Sequence, residues 1–161
     1  MRIARRIIHD ESGSSLVETA FSLTLLLTAI FGIAYFAEAL YTYEFVSYAA
    51  QQGTRYAIVR GAHWGSTVCA STTTLDCNAT AADITSYVRN LAPPGMTASN
   101  IVVNPTWPGQ AVNGSTAGCG TTNNQGCLVK VKVSYSFSFI VPFLPNSSVN
   151  FTGASEQPVQ D

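Results

Sequence analysis

At 161 residues the chain has room for one modest domain beside a long helix. Its charged fraction, 11%, is well below the roughly 25% of an average soluble protein, so its surface is polar but nearly uncharged. A net charge of −1 offers nothing to attract nucleic acid, and no nucleic-acid partner is expected.

Residues 1–12 are short and charged, with Arg2, Arg5 and Arg6 forming a basic cluster. Lying just before an apolar run, such a cluster holds the N-terminus in the cytoplasm and sends the remainder outward. Gly13-Ser14-Ser15-Leu16-Val17-Glu18 opens that run, and Thr19 to Ala37 follows with no formal charge. As a helix, residues 19–37 cover roughly 28 Å, close to the hydrocarbon thickness of a bilayer. Three fates are open to this segment. Ala37-Glu38-Ala39 has the form of a signal-peptide cleavage site, although the charged preface is long and Glu18 stands at the head of the run. A permanent signal anchor is the second fate.

The third takes Gly13 and Glu18 together. Glycine before an apolar helix, with glutamate five residues on, resembles the type IV prepilin signature. The resemblance implies that a prepilin peptidase cuts between Gly13 and Ser14, freeing the basic leader and leaving the apolar helix in the mature protein. It also implies that Glu18 is an assembly residue, neutralised by the new α-amino group of a neighbouring subunit. A carboxylate at the edge of a membrane helix is expensive and persists where it finds a partner. The plainer reading puts Glu18 in the headgroup region, where the helix dipole favours an acid.

From Glu38 to Arg60 there is no proline, and Leu40, Tyr41, Phe45, Tyr48, Tyr56 and Val59 recur mostly at helical steps, with Ala39, Ala49, Ala50 and Ala57 between them. The apolar first half is therefore expected to continue into an amphipathic second half, one helix from Ser14 to Arg60 of roughly 70 Å that ends near Gly61. Gly53 is its weak point, at about 1 kcal/mol against alanine. The block Ala49-Ala50-Gln51-Gln52-Gly53-Thr54-Arg55-Tyr56-Ala57, after a prepilin-like start, resembles the TadE-like family, pseudopilins of the tight adherence (Tad) pilus systems of bacteria. Gln51, Gln52 and Thr54 depart mildly from the family's usual block, and the order of the later segments also fits. The resemblance implies a pilus subunit or minor pseudopilin with no catalytic part. Its partners would be other pilin or pseudopilin subunits in a homo- or hetero-oligomer, the prepilin peptidase, and the membrane before assembly. Its place would be the bacterial inner membrane, or the cell surface once assembled.

The exported part begins with a polar loop holding His63, Trp64, Cys69 and Cys77. Together with Cys119 and Cys127, these make four cysteines in an oxidising compartment and so two disulfides. Three connectivities are possible. The simplest joins Cys69 to Cys77 and Cys119 to Cys127, each loop giving roughly 2.5 kcal/mol on the chain-entropy model. Zinc would ask for shorter spacers and a helpful histidine.

Thr80-Ala81-Ala82-Asp83 has capping-box spacing, and Ile84, Val88 and Leu91 then share a helical face up to Pro93-Pro94-Gly95. Residues 99–107 read as a strand stopped or bent at Pro105, and 108–126 as a loop without buried structure. The clearest strand follows: Val129, Val131, Val133, Tyr135, Phe137 and Phe139 face one way, and Lys130, Lys132 and three serines the other. Val149 to Ser155 supplies a weaker last strand.

The expected fold is α+β and pilin-like: a leader over 1–13, a long helix over 14–60 with its transmembrane segment at 19–37, and a small exported α+β domain over 61–161. In that domain a small antiparallel sheet lies against the second half of the helix, since a sheet of about three strands needs such a partner. No nucleophile and base, phosphate loop or paired carboxylates occur, so no enzyme, cofactor or metal site is expected. Asp76 reads as a loop residue. Four N-x-S/T sequons, at Asn78, Asn113, Asn146 and Asn150, are expected by chance in so Asn-, Ser- and Thr-rich a chain. The competing functional reading is a permanently anchored exported domain that binds a ligand or surface without assembling.

Overall fold

The computed structural model describes residues 11–62, 64, 78–121, 123–139 and 147–160. His9, His63, Asp76 and both Cys69 and Cys77 lie outside these, as do Pro142 and Pro145. Helix α1 spans Glu11–Val59, α2 spans Ala81–Asn90, and strands β1 (Val102–Thr106), β2 (Leu128–Phe139) and β3 (Ser147–Pro158) form one antiparallel sheet in the order β1-β2-β3. This is the expected α+β fold, a long N-terminal helix with a small three-stranded sheet. The chain divides into two compact units after Glu38, within α1.

In the first unit the described helix runs from Glu11, so Gly13 and Ser14 are helical rather than standing before the helix. All the described side chains through Phe36 are exposed except Tyr35, which is half-buried.

The second unit holds the core. Val46, Ala49, Ala50, Gly53 and Ala57 recur at three- and four-residue steps along α1 and are all buried. The larger residues expected to pack there divide differently. Phe45 is buried and Tyr56 partly so, but Leu40, Tyr41, Tyr48 and Val59 are exposed. The reason is the closeness of the sheet. A Cβ built on Gly153 of β3 would stand 2.8 Å from the Val46 carbonyl oxygen, and one on Gly53 would stand 2.8 Å from Val88 of α2 and 3.1 Å from Val131 of β2. Only small side chains fit under such an approach, so alanines and Gly53 line the seam. Gly53 is thus a packing requirement as well as a helix cost.

β2 is the central strand, and its alternation is as expected: Val129, Val131, Val133 and Phe137 are buried while Lys130, Lys132, Ser136 and Ser138 are exposed. Phe137 lies among Phe139 and Phe151, with Tyr43 of α1 edge-on to Phe151 at 6.1 Å between ring centroids. Pro105 does not stop β1. It sits opposite Val131 on an edge strand, where its missing N–H deprives no second neighbour. β3 is longer than expected, pairing with β2 from Ser147 to Pro158. Lys130 and Glu156 form an exposed cross-strand ion pair at 3.2 Å, worth a few tenths of a kcal/mol.

The capping box of α2 is formed as its sequence predicts. Asp83 N–H donates to Thr80 Oγ1 at 3.2 Å, and Thr80 N–H donates to Asp83 Oδ2 at 3.1 Å. Ile84 and Val88 are then fully buried against Gly53. Tyr87 stacks on Tyr56 at 4.5 Å, and the Arg60 guanidinium lies over the Tyr56 ring at 4.3 Å from its centroid.

The C-terminal end of α1 is closed by distant residues. Asn123 Nδ2 donates to the Ala57 carbonyl at 3.0 Å and the Arg60 carbonyl at 2.7 Å, and Gln160 N–H donates to the Ile58 carbonyl. Asn123 Oδ1 accepts from Trp107 Nε1–H at 3.0 Å. Carbonyls at a helix terminus lack their usual intrahelical donors, and these bonds add to the Ala79 N–H on Arg60 and the long Arg60 N–H bond on Ala57. Among its described residues the polar run 108–126 therefore holds one buried side chain, Asn123, against expectation, because it serves the end of the helix as a donor.

Candidate functional site: the N-terminal helical surface

In the first unit Leu16, Val17, Phe21, Leu23, Leu25, Leu26, Ile30, Phe31, Ile33 and Phe36 are each more than half exposed. At 100° per residue they point in every direction around α1, so the surface is apolar all round rather than striped. Its mean hydropathy reaches 2.0 over an 18-residue window, and none of that window is buried. The helix is long and apolar enough to cross a membrane. Water is a poor solvent for such a surface, which calls for lipid or other apolar helices as its covering.

Polar groups inside the run are arranged consistently with a dry environment. Thr19, Thr24 and Thr28 each donate their hydroxyl to the carbonyl four residues earlier, at 2.8 Å. A hydroxyl satisfied within its own helix needs no water or outside partner. Gly13, Ser14 and Glu18 occupy consecutive turns at the head of this surface and are exposed. A Cβ at Gly13 would meet nothing within 4 Å, so the absent side chain answers no packing need within the chain.

Residues 13–55 match the family model described as TadE-like protein. This stretch is TadE-like. The match takes in the head of the helix, the whole apolar run and the block through Arg55, and it stops short of the sheet. No curated protein and no solved structure matches the chain. TadE-like proteins are a pilus-related structural family, and a long apolar N-terminal helix on a TadE-like segment fits a membrane-anchored, pilus-related subunit.

The second unit carries the Cys119–Cys127 disulfide, with sulfurs 1.98 Å apart. It closes the base of the exposed 112–118 loop beside the Ala111–Cys127 bridge. Replacing both cysteines by serine should lower stability by about 2.5 kcal/mol, from the loop-closure entropy returned to the unfolded chain. Urea unfolding of the detergent-solubilised chain measures this, and an unchanged midpoint would show the linkage to be idle.

Proposed function

We propose that this protein is a subunit or minor pseudopilin of a Tad or type IV-like pilus, inserted with its N-terminus in the cytoplasm and its sheet domain exported. On this reading prepilin peptidase cuts between Gly13 and Ser14, and the freed helix moves from lipid into a bundle of pilin or pseudopilin helices. The observation that carries the reading is the apolar-all-round, wholly exposed helical surface that begins at Gly13 and Glu18 within a TadE-like match. Lipid and a helix bundle both cover such a surface, so the same residues serve before and after assembly.

The cleaved bond lies in helical backbone here, whereas a peptidase takes its substrate extended. Gly13 lowers the cost of unwinding that turn by about 1 kcal/mol relative to alanine. Once the leader is gone, Ser14 carries an α-amino group close to the Glu18 carboxylate of a neighbouring helix. That pairing relieves the cost of taking the acid out of water and fixes the register of the two helices.

Intact mass of the protein from membranes and from sheared surface fibres tests the reading. A species beginning at Ser14 in both fractions is expected. A full-length chain confined to the membrane would favour permanent anchoring instead, and a start near Leu40 would mean secretion. Glu18→Ala is expected to be cleaved normally yet to fall about tenfold in the fibre fraction, since an unpaired amine is then left at the interface. Normal incorporation of that variant would remove Glu18 from the assembly.

A further inference from the structure

On the Ala39–Val59 part of α1, the face away from the sheet carries Tyr41, Glu44, Tyr48, Gln51 and Arg55 at alternating three- and four-residue steps, and all five are exposed. Such spacing makes one continuous seam along a helix. Beside it lies an open groove of about 320 Å³, lined by Tyr41, Glu44, Phe45, Tyr48, Leu91 and Pro93. The described residues show Lys130–Glu156 as an ion pair, and neither Glu44 nor Arg55 takes part in one. On one helix they stand about three turns apart, ~16 Å along the axis and within about 20° of the same face. They are too distant to meet each other.

The geometry points to a second copy of this chain as the occupant of the seam, packed parallel and displaced by about three turns, so that Arg55 of one copy meets Glu44 of the next. This inference rests on the pilus reading for the shared orientation of the copies, because chains inserted the same way cannot pair antiparallel. In-register parallel pairing would set Glu44 against Glu44 and Arg55 against Arg55, which like charges oppose. A displacement of ~16 Å converts both clashes into an attraction. It also sets the exposed Val59 of one copy beside Tyr48 of the other, and it lays the Arg55 stem over the tyrosines that flank Glu44. The pair leaves Glu44 unused on one copy and Arg55 unused on the other. The contact is therefore head-to-tail and open, the kind that propagates into a filament rather than closing into a dimer.

Charge reversal in the full chain, expressed in the cells that make it, tests the pairing. Glu44→Arg and Arg55→Glu are each expected to lower the amount in sheared fibres about tenfold, and the double variant to return to within about threefold of wild type. Retention of the Cys119–Cys127 disulfide and an unchanged proteolysis pattern show that each variant is folded. A chain carrying Glu44→Cys and Arg55→Cys together should form, on mild oxidation, a ladder at multiples of its own mass, whereas each single variant should not. Single reversals that behave as wild type, a double no better than the singles, or cross-links to a protein of a different mass would each overturn self-pairing. Absence of the wild-type chain from fibres would overturn the pilus reading instead. The ladder in the membrane fraction would then still decide the pairing, its presence supporting it and its absence ending it.

Discussion

Gly153→Ala is expected to destabilise the protein by about 3 kcal/mol, a fall in melting temperature of about 6–12 °C for a chain of this size. The added Cβ would stand 2.8 Å from the Val46 carbonyl oxygen and 2.9 Å from Ser47 Cα and the Val46 carbonyl carbon. All three are backbone atoms of α1, so no rotamer change makes room. Either the helix lifts from the sheet, loosening the buried Ala49 and Ala50, or β3 shifts against β2 and loses the register that runs from Ser147 to Pro158. Two controls bracket the effect. Gly53→Ala meets side-chain methyl groups of the buried Val88 and Val131 rather than backbone, and about 1 kcal/mol of helix propensity offsets part of that clash, so it should still destabilise but by less than Gly153→Ala. Gly120→Ala meets nothing within 4 Å and should be nearly neutral. Thermal melting of the detergent-solubilised full chain distinguishes them. A Gly153→Ala variant melting with wild type would mean that α1 does not seat on β3 as described.

The second large effect is expected at Asn123, which is 5% exposed. Asn123→Ala removes two bonds donated to the end of α1 and the acceptor for Trp107. The Arg60 carbonyl keeps the Ala79 N–H and the Ala57 carbonyl keeps a long bond from Arg60 N–H, so the indole N–H is the group left without its acceptor. A loss of about 2–3 kcal/mol is expected. Asn123→Asp discriminates between lost volume and lost donors. It keeps the volume and the indole's acceptor but sets a carboxylate against two carbonyls at the negative end of the helix, so it should be no better than alanine. If aspartate instead restored wild-type stability in urea unfolding, the donated bonds would be of no account.

Much of this fold is legible in the sequence because it rests on local chemistry. The alternation of β2, the capping box at Thr80 and Asp83, and the length of the apolar run each declare themselves within a dozen residues. What stays hidden depends on proximity. The Ala49, Ala50, Gly53 and Ala57 seam is the helix's buried face because a sheet lies against it, whereas periodicity alone favours the bulkier Leu40, Tyr41 and Tyr48. β3 reads weakly because its inward positions hold Gly153 and Ser155, small where the helix passes, with Thr54 donating to the Ser155 carbonyl at 3.2 Å. Asn123 sits in a run of polar residues that says loop, and the helix carbonyls it serves lie more than sixty positions earlier. At the head of α1, Gly13 and Glu18 are legible as a pair because they stand five residues apart, and on the proposed reading a processing signal must be local to be read; the described helix covers both.

The loop closed by Cys119 and Cys127 is held at its foot in several ways at once. Beside the disulfide, the Ala111 and Cys127 backbones bridge, and Asn124 Nδ2 donates to the Gly118 carbonyl at 2.8 Å. Between these ties residues 112–118 are all exposed, and Val112 stands 71% open to solvent. The core therefore places almost no demand on which amino acids occupy the tip. Apart from Gly114 and Gly118, whose positive φ favours glycine, substitutions there escape the purging that burial imposes. On the proposed fibre, that is the patch where a change of sequence would disturb the fold least.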